Sequence, residues 1–263
     1  MDSIYELFDN DKTFILGHRG FSENYPENTM LSFQACADEE GVDGVELDVH
    51  RCKSGELVVS HDSNLKRTAG VDRNIEDMTW DEIKNLDVGS FKDPKFSDAR
   101  IPLLEELFSS FSDRFCYDLE IKAPKTFGHK EICNSLWQMI QDHKLEKSVM
   151  VSSFNPFAIR RFNRTCWYSV PTADIFCDEE SVPKTLRHGK GHLVSGSSYL
   201  KPDCAQTTEE NLNKWNMPVI SWTVNTKEEA ERILALPHIK GLIGNNPLLL
   251  STVLEAKKNN KKI

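Results

Sequence analysis

Polar residues able to act on a phosphate ester stand in, or directly after, short apolar runs of this chain. They are two histidines, three carboxylates, one arginine and one lysine: His18, His61, Glu46, Asp48, Glu120, Arg19 and Lys122. Active sites built on the ends of several β-strands have this pattern. Carboxylates can hold a divalent cation, histidines can transfer protons, and basic side chains can bind phosphate oxygens. The set therefore predicts metal-assisted cleavage of a phosphate ester.

The carboxylates occupy alternate positions of two apolar runs. Glu46 and Asp48 share one side of the first run, and Glu120 has the same setting in the second. Apolar neighbours on both sides indicate buried parallel strands, so these carboxylates should point into the interior. Carboxylates that share an interior repel each other unless a cation lies between them. Three hard oxygen ligands suit Mg²⁺ or Ca²⁺. Paired surface charges on exposed strands are the alternative.

His18 and His61 are predicted to form an acid/base pair. A lone histidine at a strand end is often structural, but two of them beside carboxylates favour proton transfer. An unperturbed imidazole pKa of about 6.5 allows one ring to accept a proton and the other to donate one near neutral pH. The sequence leaves open which histidine is the base. It also leaves the nucleophile open.

The formal charge of the set also predicts a metal. The three carboxylates outnumber the cations Arg19 and Lys122 by one, so the bare site would repel a phosphodiester anion. One divalent cation reverses the sign and makes the site attractive. Trp222 is a candidate for an apolar wall of the pocket, with core packing as the alternative.

Eight strand-like runs alternate with helical patterns along the chain. The predicted strands cover residues 13–20, 44–52, 115–122, 148–155, 167–174, 191–200, 218–225 and 241–245. Helical spacing or capping signals predict helices over residues 28–40, 130–144, 208–215 and 226–236. The alternation predicts an α/β protein, a (β/α)8 TIM-type barrel in a single domain over residues 1–263. An open doubly wound sheet is the alternative, but the GxGxxG turn of its dinucleotide-binding form does not occur.

One stretch interrupts the alternation after the second strand. Residues 57–61 resemble a short extra strand, and helical patches begin near Thr79 and Pro102. We predict a small insertion over approximately residues 63–112, lying over the site rather than forming a separate domain.

Composition argues against several classes of partner. The net charge of -9 disfavours nucleic acid, because an acidic surface repels polyanions. No apolar run approaches the ~18 residues of a membrane span, and the first twelve residues lack the pattern of a secretory signal, so we expect no stable membrane anchor. Seven cysteines without a CxxC pair predict reduced thiols in a cytoplasmic protein. The oligomeric state is left open.

Taken in order, the motifs resemble those of the glycerophosphodiester phosphodiesterase family and span nearly the whole chain. They are His18-Arg19-Gly20, Pro26-Glu27-Asn28-Thr29, Glu46-Leu47-Asp48-Val49, His61-Asp62, Leu65-Lys66-Arg67-Thr68-Ala69-Gly70, Leu119-Glu120-Ile121-Lys122 and Trp222-Thr223-Val224-Asn225. The resemblance implies a variant (β/α)8 barrel. It also implies cleavage of small-molecule glycerophosphodiesters to glycerol 3-phosphate and an alcohol, with a divalent metal.

The resemblance implies a role for each candidate residue. Glu46, Asp48 and Glu120 would be the metal ligands. His18 and His61 would be the acid/base pair, and Arg19 and Lys122 would hold the phosphate. The chain departs from the family at Asn245, where most members have an aspartate after the last strand.

Two other functions stay open at this point. A phospholipase-type enzyme, such as a lysophospholipase D or a sphingomyelinase D-like protein, would favour an apolar rim, to which Phe91, Phe96, Phe108 and Phe111 could contribute. A non-catalytic barrel that binds a phosphorylated ligand would be expected to have lost a metal ligand or a histidine. All of these residues are present.

Overall fold

The computed structural model describes residues 12–123, 127–180 and 182–260. Within them, eight parallel strands close into a barrel, and a ninth strand pairs outside the ring. The strands are β1 (Phe14–His18), β2 (Gly44–Arg51), β3 (Leu57–Val59), β4 (Cys116–Ile121), β5 (Val149–Ser153), β6 (Thr172–Phe176), β7 (Tyr199–Pro202), β8 (Val219–Ser221) and β9 (Ile239–Gly244). The ring closes because β1 pairs with both β2 and β9. The predicted TIM-type (β/α)8 barrel is confirmed.

Helices cover the outside of the barrel. They are α1 (Met30–Ala37), α2 (Lys66–Ala69), α3 (Trp80–Ile83), α4 (Leu104–Phe111), α5 (Lys130–Asp142), α6 (Pro156–Thr165), α7 (His192–Ser195), α8 (Glu209–Trp215), α9 (Lys227–Leu234) and α10 (Pro247–Asn260). Local capping fixes several helix starts. Thr226 and Glu229 form a reciprocal capping box at α9, and the side chain of Asn155 accepts backbone N–H bonds at the start of α6.

Alternation along the strands separates the core into two layers. Val45, Leu47 and Val49 of β2 pack outward in a cluster that includes Leu107 and Phe108 of α4. A second apolar cluster lies inside the ring and is drawn mainly from the early residues of the strands: Phe14, Leu16, Cys116, Met150, Ala173, Tyr199, Ile220 and Ile243. The interior polar side chains are therefore left at the carboxyl ends of the strands, where barrel enzymes carry their active sites.

The segment after β2 makes its own small core. β3 pairs antiparallel with β2 beyond the end of β1. The segment packs around a separate apolar cluster of Cys52, Val58, Leu65, Ile75, Met78, Ile83, Val88 and Ile101. Helix α4 instead belongs to the barrel core. One domain over residues 1–263 with an insertion at about 63–112 stays a prediction.

The strand predicted over residues 191–200 is wrong in its larger part. Helix α7 occupies residues 192–195, and β7 begins only at Tyr199. The backbone turns at Gly196, which adopts a left-handed conformation with φ 69° and donates its N–H to the His192 carbonyl. Leu193 is 77% exposed, so an apolar residue in this run does not mark a buried strand.

The strand predicted over residues 167–174 also begins too early. Trp167 and Tyr168 have φ values of 54° and 58°, which exclude a strand at these two positions. They form the turn after α6, and β6 starts at Thr172. Both side chains are exposed. These two aromatic residues therefore belong to a surface turn and not to a strand.

Two further sequence expectations concern the chain as a whole. No helix in the described part of the chain is long and apolar enough to cross a membrane. All seven cysteines are free thiols, and six of them are buried.

Candidate active site

The carboxyl ends of the strands surround a cavity of about 430 Å³. Six of the eight predicted site residues line it: His18, Arg19, Glu46, His61, Glu120 and Trp222. Asp48 is fully buried beside this lining, and Lys122 lines an adjoining cavity. The strand ends thus bring residues that are up to 204 positions apart in the sequence into one cluster.

Strands β2 and β4 set the three carboxylates at matching levels. Their parallel register places Asp48 opposite Glu120, with Glu46 one inward position earlier. One oxygen from each carboxylate lies within 4.8 Å of the other two. Burial raises the pKa of Glu46, and the ammonium of Lys201 only partly offsets this rise. Repulsion from the Asp48 carboxylate raises the pKa further. The three carboxylates repel one another unless a cation lies between them. Their converging hard oxygens are a donor set that fits a divalent cation.

Two cations hold Asp48 in its ionised form. The Nζ atom of Lys122 lies 2.9 Å from Oδ1 of Asp48 and 2.7 Å from Oε1 of Glu120. The Nε atom of Arg19 lies 3.5 Å from Oδ2 of Asp48. Although Asp48 is buried, these cations hold its pKa well below its usual range. Lys122 therefore links two of the candidate ligands.

Asn28 supports the same carboxylate. Its Nδ2 donates to Oδ2 of Asp48 at 2.7 Å, and its own Oδ1 accepts from the Asp48 backbone N–H at 3.4 Å. Asn28 and Thr29 open the helix predicted over residues 28–40, and Thr29 is the residue that caps α1. Asn28 has a φ of 54°, so it turns out of the helix and toward the site.

A buried ion pair that the sequence analysis missed lies at the base of the cluster. The Nζ atom of Lys201 is 2.8 Å from Oδ2 of Asp118 and 3.5 Å from Oε1 of Glu46. Ser152 connects the pair, since its hydroxyl donates to Asp118 and accepts from Lys201. With this pair included, four buried carboxylates face the three cations Arg19, Lys122 and Lys201. The formal sum stays at one negative charge, as in the predicted set.

His18 is held by Asn245. The carboxamide oxygen of Asn245 accepts from the Nδ1–H of His18 at 2.7 Å, and the hydroxyl of Ser22 donates to the same oxygen. The other ring nitrogen, Nε2, faces Glu46 at 3.9 Å. Burial lowers the pKa of His18 to about 3, and the Arg19 guanidinium acts in the same direction. The ring is thus neutral at neutral pH, with a free lone pair on Nε2.

His61 belongs to a chain of ion pairs. Its Nδ1 lies 2.7 Å from Oδ1 of Asp62, whose other oxygen pairs with Nε of Arg67. Arg67 forms a two-point contact with Glu27, and Glu27 also binds Nη1 of Arg19 at 3.0 Å. Side chains from the segment after β3 therefore contact the end of β1. The chain of ion pairs connects His61 to Arg19, the residue that follows His18.

Trp222 forms an apolar wall of the cavity. Its indole Nε1–H donates to the Lys201 carbonyl at 2.8 Å. The ring meets Phe154 edge to face, with centroids 5.5 Å apart. Ile175 and Val182 extend the same wall. The ring packs at the edge of the interior cluster and also faces the cavity. A role of Trp222 in substrate binding stays a prediction.

Comparison with known proteins agrees with this geometry. The chain matches the model of the glycerophosphoryl diester phosphodiesterase family over residues 18–249 and belongs to that family, whose members are phosphoric diester hydrolases. It is 33% identical over 238 residues to a glycerophosphodiester phosphodiesterase of Caldanaerobacter subterraneus subsp. tengcongensis, covering 90% of this chain and 95% of the relative.

A second relative and a solved structure extend the comparison. The Rattus norvegicus lysophospholipase D GDPD1 is 42% identical over 134 residues, which are 49% of this chain and 42% of that protein. An Oleispira antarctica phosphodiesterase, solved in complex with the product sn-glycerol-3-phosphate, superposes with a TM-score of 0.79 at 23% identity. The superposition covers 92% of this chain and 96% of the other and supports the fold alone.

Proposed function

We propose that this protein hydrolyses glycerophosphodiesters to glycerol 3-phosphate and an alcohol in a reaction that depends on a divalent metal. The observation that carries the proposal is a single cavity lined by His18, His61, Glu46 and Glu120. Proton-transfer groups and oxygen ligands stand together there, as metal-assisted cleavage of a phosphodiester requires. Membership of the family supports the same reaction.

The metal would be held by Glu46, Asp48 and Glu120. Their convergence within 4.8 Å, and the raised pKa of Glu46, fit Mg²⁺ or Ca²⁺. When bound, the cation would supply positive charge that polarises the phosphoryl group and reverses the net charge of the site. Lys122 and Asn28 keep the Asp48 carboxylate in place through direct contacts.

The two histidines would divide the proton transfers. His18 accepts a proton at Nε2 from the attacking hydroxyl, of substrate or of water, while Asn245 holds its Nδ1–H. His61 donates a proton to the oxygen of the departing alcohol, and the carboxylate of Asp62 compensates positive charge on its ring. Arg19 and Lys122 bind phosphate oxygens, and Trp222 presents an apolar surface to the glycerol part of the substrate.

A specific observation favours lysophospholipids as a second substrate class. The adjoining cavity of about 460 Å³ shares His61 and Glu120 with the first. Its apolar walls include Phe154, Phe157 and Leu186, which suit the acyl chain on the glycerol of a lysophospholipid, while the head-group alcohol is the leaving group. The rat relative named lysophospholipase D matches about half of this chain.

The proposal extends to the setting of the enzyme. We propose a small-molecule substrate, no nucleic-acid partner, a single barrel domain over residues 1–263 and a cytoplasmic location. The net charge of -9 supports the absence of a nucleic-acid partner. The seven free cysteines support a cytoplasmic location.

Product release from a panel of head groups tests the proposal. Glycerophosphocholine, glycerophosphoethanolamine and lysophosphatidylcholine are each incubated with the protein and Mg²⁺, Ca²⁺ or Mn²⁺, and glycerol 3-phosphate and free alcohol are measured. We expect glycerol 3-phosphate from the first two. Cleavage of the lysolipid alone would establish the second substrate class instead. Binding of these compounds without cleavage under any metal would identify a non-catalytic barrel.

A further inference from the structure

A basic and aromatic surface lies between helices α5 and α6. A cavity of about 370 Å³ on this flank is lined by the two aromatic rings and four cationic side chains that we call the α5–α6 patch. The patch consists of Phe127, Phe157, Lys130, Arg160, Arg161 and Arg164. None of these residues has a part in the proposed proton transfers or in the proposed metal site.

The patch concentrates uncompensated positive charge. Its three arginines lie within five positions of α6, all of them exposed. Among the described residues none forms an ion pair with a carboxylate, whereas Arg51 and Arg73 each pair with a glutamate. The chain as a whole carries a net charge of -9. A cluster of unpaired cations on an acidic protein indicates attraction for an anionic surface at this one place.

The patch also exposes aromatic rings. Phe127 is 67% exposed and Phe157 is 36% exposed, with ring centroids 4.8 Å apart. Aromatic side chains beside basic ones are typical of protein faces that rest at the headgroup level of a bilayer. The rings would lose their contact with water there while the cations meet lipid phosphates.

The patch adjoins one of the active-site cavities at Phe157. Phe157 lines both the patch cavity and the cavity of about 460 Å³ that holds His61 and Glu120. An amphiphile that leaves a lipid surface at the patch would therefore meet the apolar route to the site directly. A nucleic acid could also stack on the exposed rings. The position of Phe157 beside the active-site cavity favours a lipid surface instead.

We propose that the α5–α6 patch docks this protein peripherally on an anionic phospholipid surface. Its arginines and lysine would bind lipid phosphates, and the two phenylalanines would enter the headgroup region. Passage of a lipid from the patch to the active-site cavities rests on the proposed function. Docking on a lipid surface does not, so the two proposals can fail separately.

Vesicle co-sedimentation tests the docking. The full chain is mixed with phosphatidylcholine vesicles, with or without phosphatidylglycerol, in the absence of any substrate. We expect binding only with phosphatidylglycerol. Raising the salt from about 0.1 M to about 1 M shortens the screening length from about 10 Å to about 3 Å and should release the protein. Binding that ignores lipid charge or survives high salt would overturn the proposal.

Matched variants locate the contact. Because each basic residue near an anionic surface contributes about fivefold, Arg160→Gln with Arg161→Gln should weaken binding about 25-fold. Phe127→Ser should weaken it about tenfold. The controls Lys147→Gln and Trp167→Ser alter an exposed cation and an 87% exposed ring at the amino ends of the strands, and should leave binding unchanged.

Two further readouts complete the test. Hydrolysis of soluble glycerophosphocholine by the patch variants should equal that of the unmodified protein, which shows that the fold is intact. Equal loss of vesicle binding in the patch and control variants would overturn the proposal. Binding of single-stranded RNA that depends on the patch, with no vesicle binding, would assign the patch to a nucleic acid instead.

Discussion

The carboxamide oxygen of Asn245 accepts the Nδ1–H of His18 at 2.7 Å, across 227 positions of sequence. The contact exists because the barrel closes there: β1, which ends at His18, pairs with β9, which ends just before Asn245. Fixing the proton on Nδ1 leaves Nε2 as the only ring nitrogen that can act in the cavity. Asn245 is thus a positioning residue for the proposed base.

Replacing Asn245 should impair turnover more than substrate binding. Partners that orient a functional histidine typically contribute 10- to 100-fold, so we expect Asn245→Ala to lower kcat by roughly that factor with little change in KM. Asn245→Asp keeps an acceptor for Nδ1–H and should restore much of the rate. Its carboxylate would also raise the pKa of His18 and move the acid limb of the pH profile upward. A rise in KM alone would contradict the positioning role.

The two histidines should act as one unit. General acid/base catalysis typically contributes 10²- to 10⁴-fold, and we expect His18→Ala and His61→Ala each to lose about that much turnover. Turnover by the double variant should be little slower than turnover by the less active of the two single variants. Steady-state kinetics on glycerophosphocholine provide the measurement. Near-normal turnover by either single variant would make that histidine structural.

Lys201 should be a major determinant of stability. Its ammonium, 1% exposed, lies against Asp118 and Glu46, and Lys201→Met leaves both carboxylates buried without it. Breaking such a pair costs about 3–5 kcal/mol in the free energy of unfolding, measured by urea titration. Adding Asp118→Asn should recover part of the loss, because it removes a charge left unpaired.

An exposed ion pair supplies the control for Lys201. Lys214 and Glu210 pair at 2.7 Å on α8 with exposed side chains, so Lys214→Met should change the free energy of unfolding by at most about 1 kcal/mol. Equal effects of the two lysine substitutions would contradict the account of Lys201.

Asp174 should make stability depend on pH. Burial raises its pKa from 3.8 to about 6, although the hydroxyls of Ser195 and Ser197 donate to it. Between these pH values the folded state binds more protons than the unfolded state. The contribution of Asp174 to stability is therefore lost as pH rises, by about 3 kcal/mol in all, and levels off above pH of about 6.

The variant Asp174→Asn isolates this effect. We expect its free energy of unfolding, relative to the unmodified protein, to rise between pH of about 4 and about 7. Urea titrations of both proteins across that range give the difference, in which the other titrating groups cancel. A difference that is flat or falls with pH would show that Asp174 is not held with a raised pKa.

Residue alternation was enough to predict much of the site. The inward positions of β2 and β4 identified Glu46, Asp48 and Glu120, and the structure brings their oxygens together. Asp118 has the same alternation as Glu120 in β4, so the signal for it was present in the sequence and was overlooked. Once a barrel is assumed, period two along each strand determines which side chains face inward.

Other parts required the three-dimensional fold. Lys201 lies in β7, whose position was misassigned because the apolar residues of the preceding helix and turn resemble a strand. The partner of His18 follows β9, and only closure of the ring brings it near. The ion-pair chain from His61 to Arg19 likewise joins segments whose contact no local pattern encodes. Local periodicity specifies elements, whereas these contacts depend on how the elements are assembled.

Three convergent carboxylates are proposed to make this protein a metal-dependent phosphodiesterase. Release of glycerol 3-phosphate from glycerophosphocholine, measured with a chelator and then with excess Mg²⁺ or Ca²⁺, tests this proposal most directly. We expect the chelator to abolish activity and the metal to restore it. Glu46→Gln, Asp48→Asn and Glu120→Gln should each reduce the restored rate severely, while the exposed control Glu210→Gln should not. Full activity in excess chelator would contradict the account.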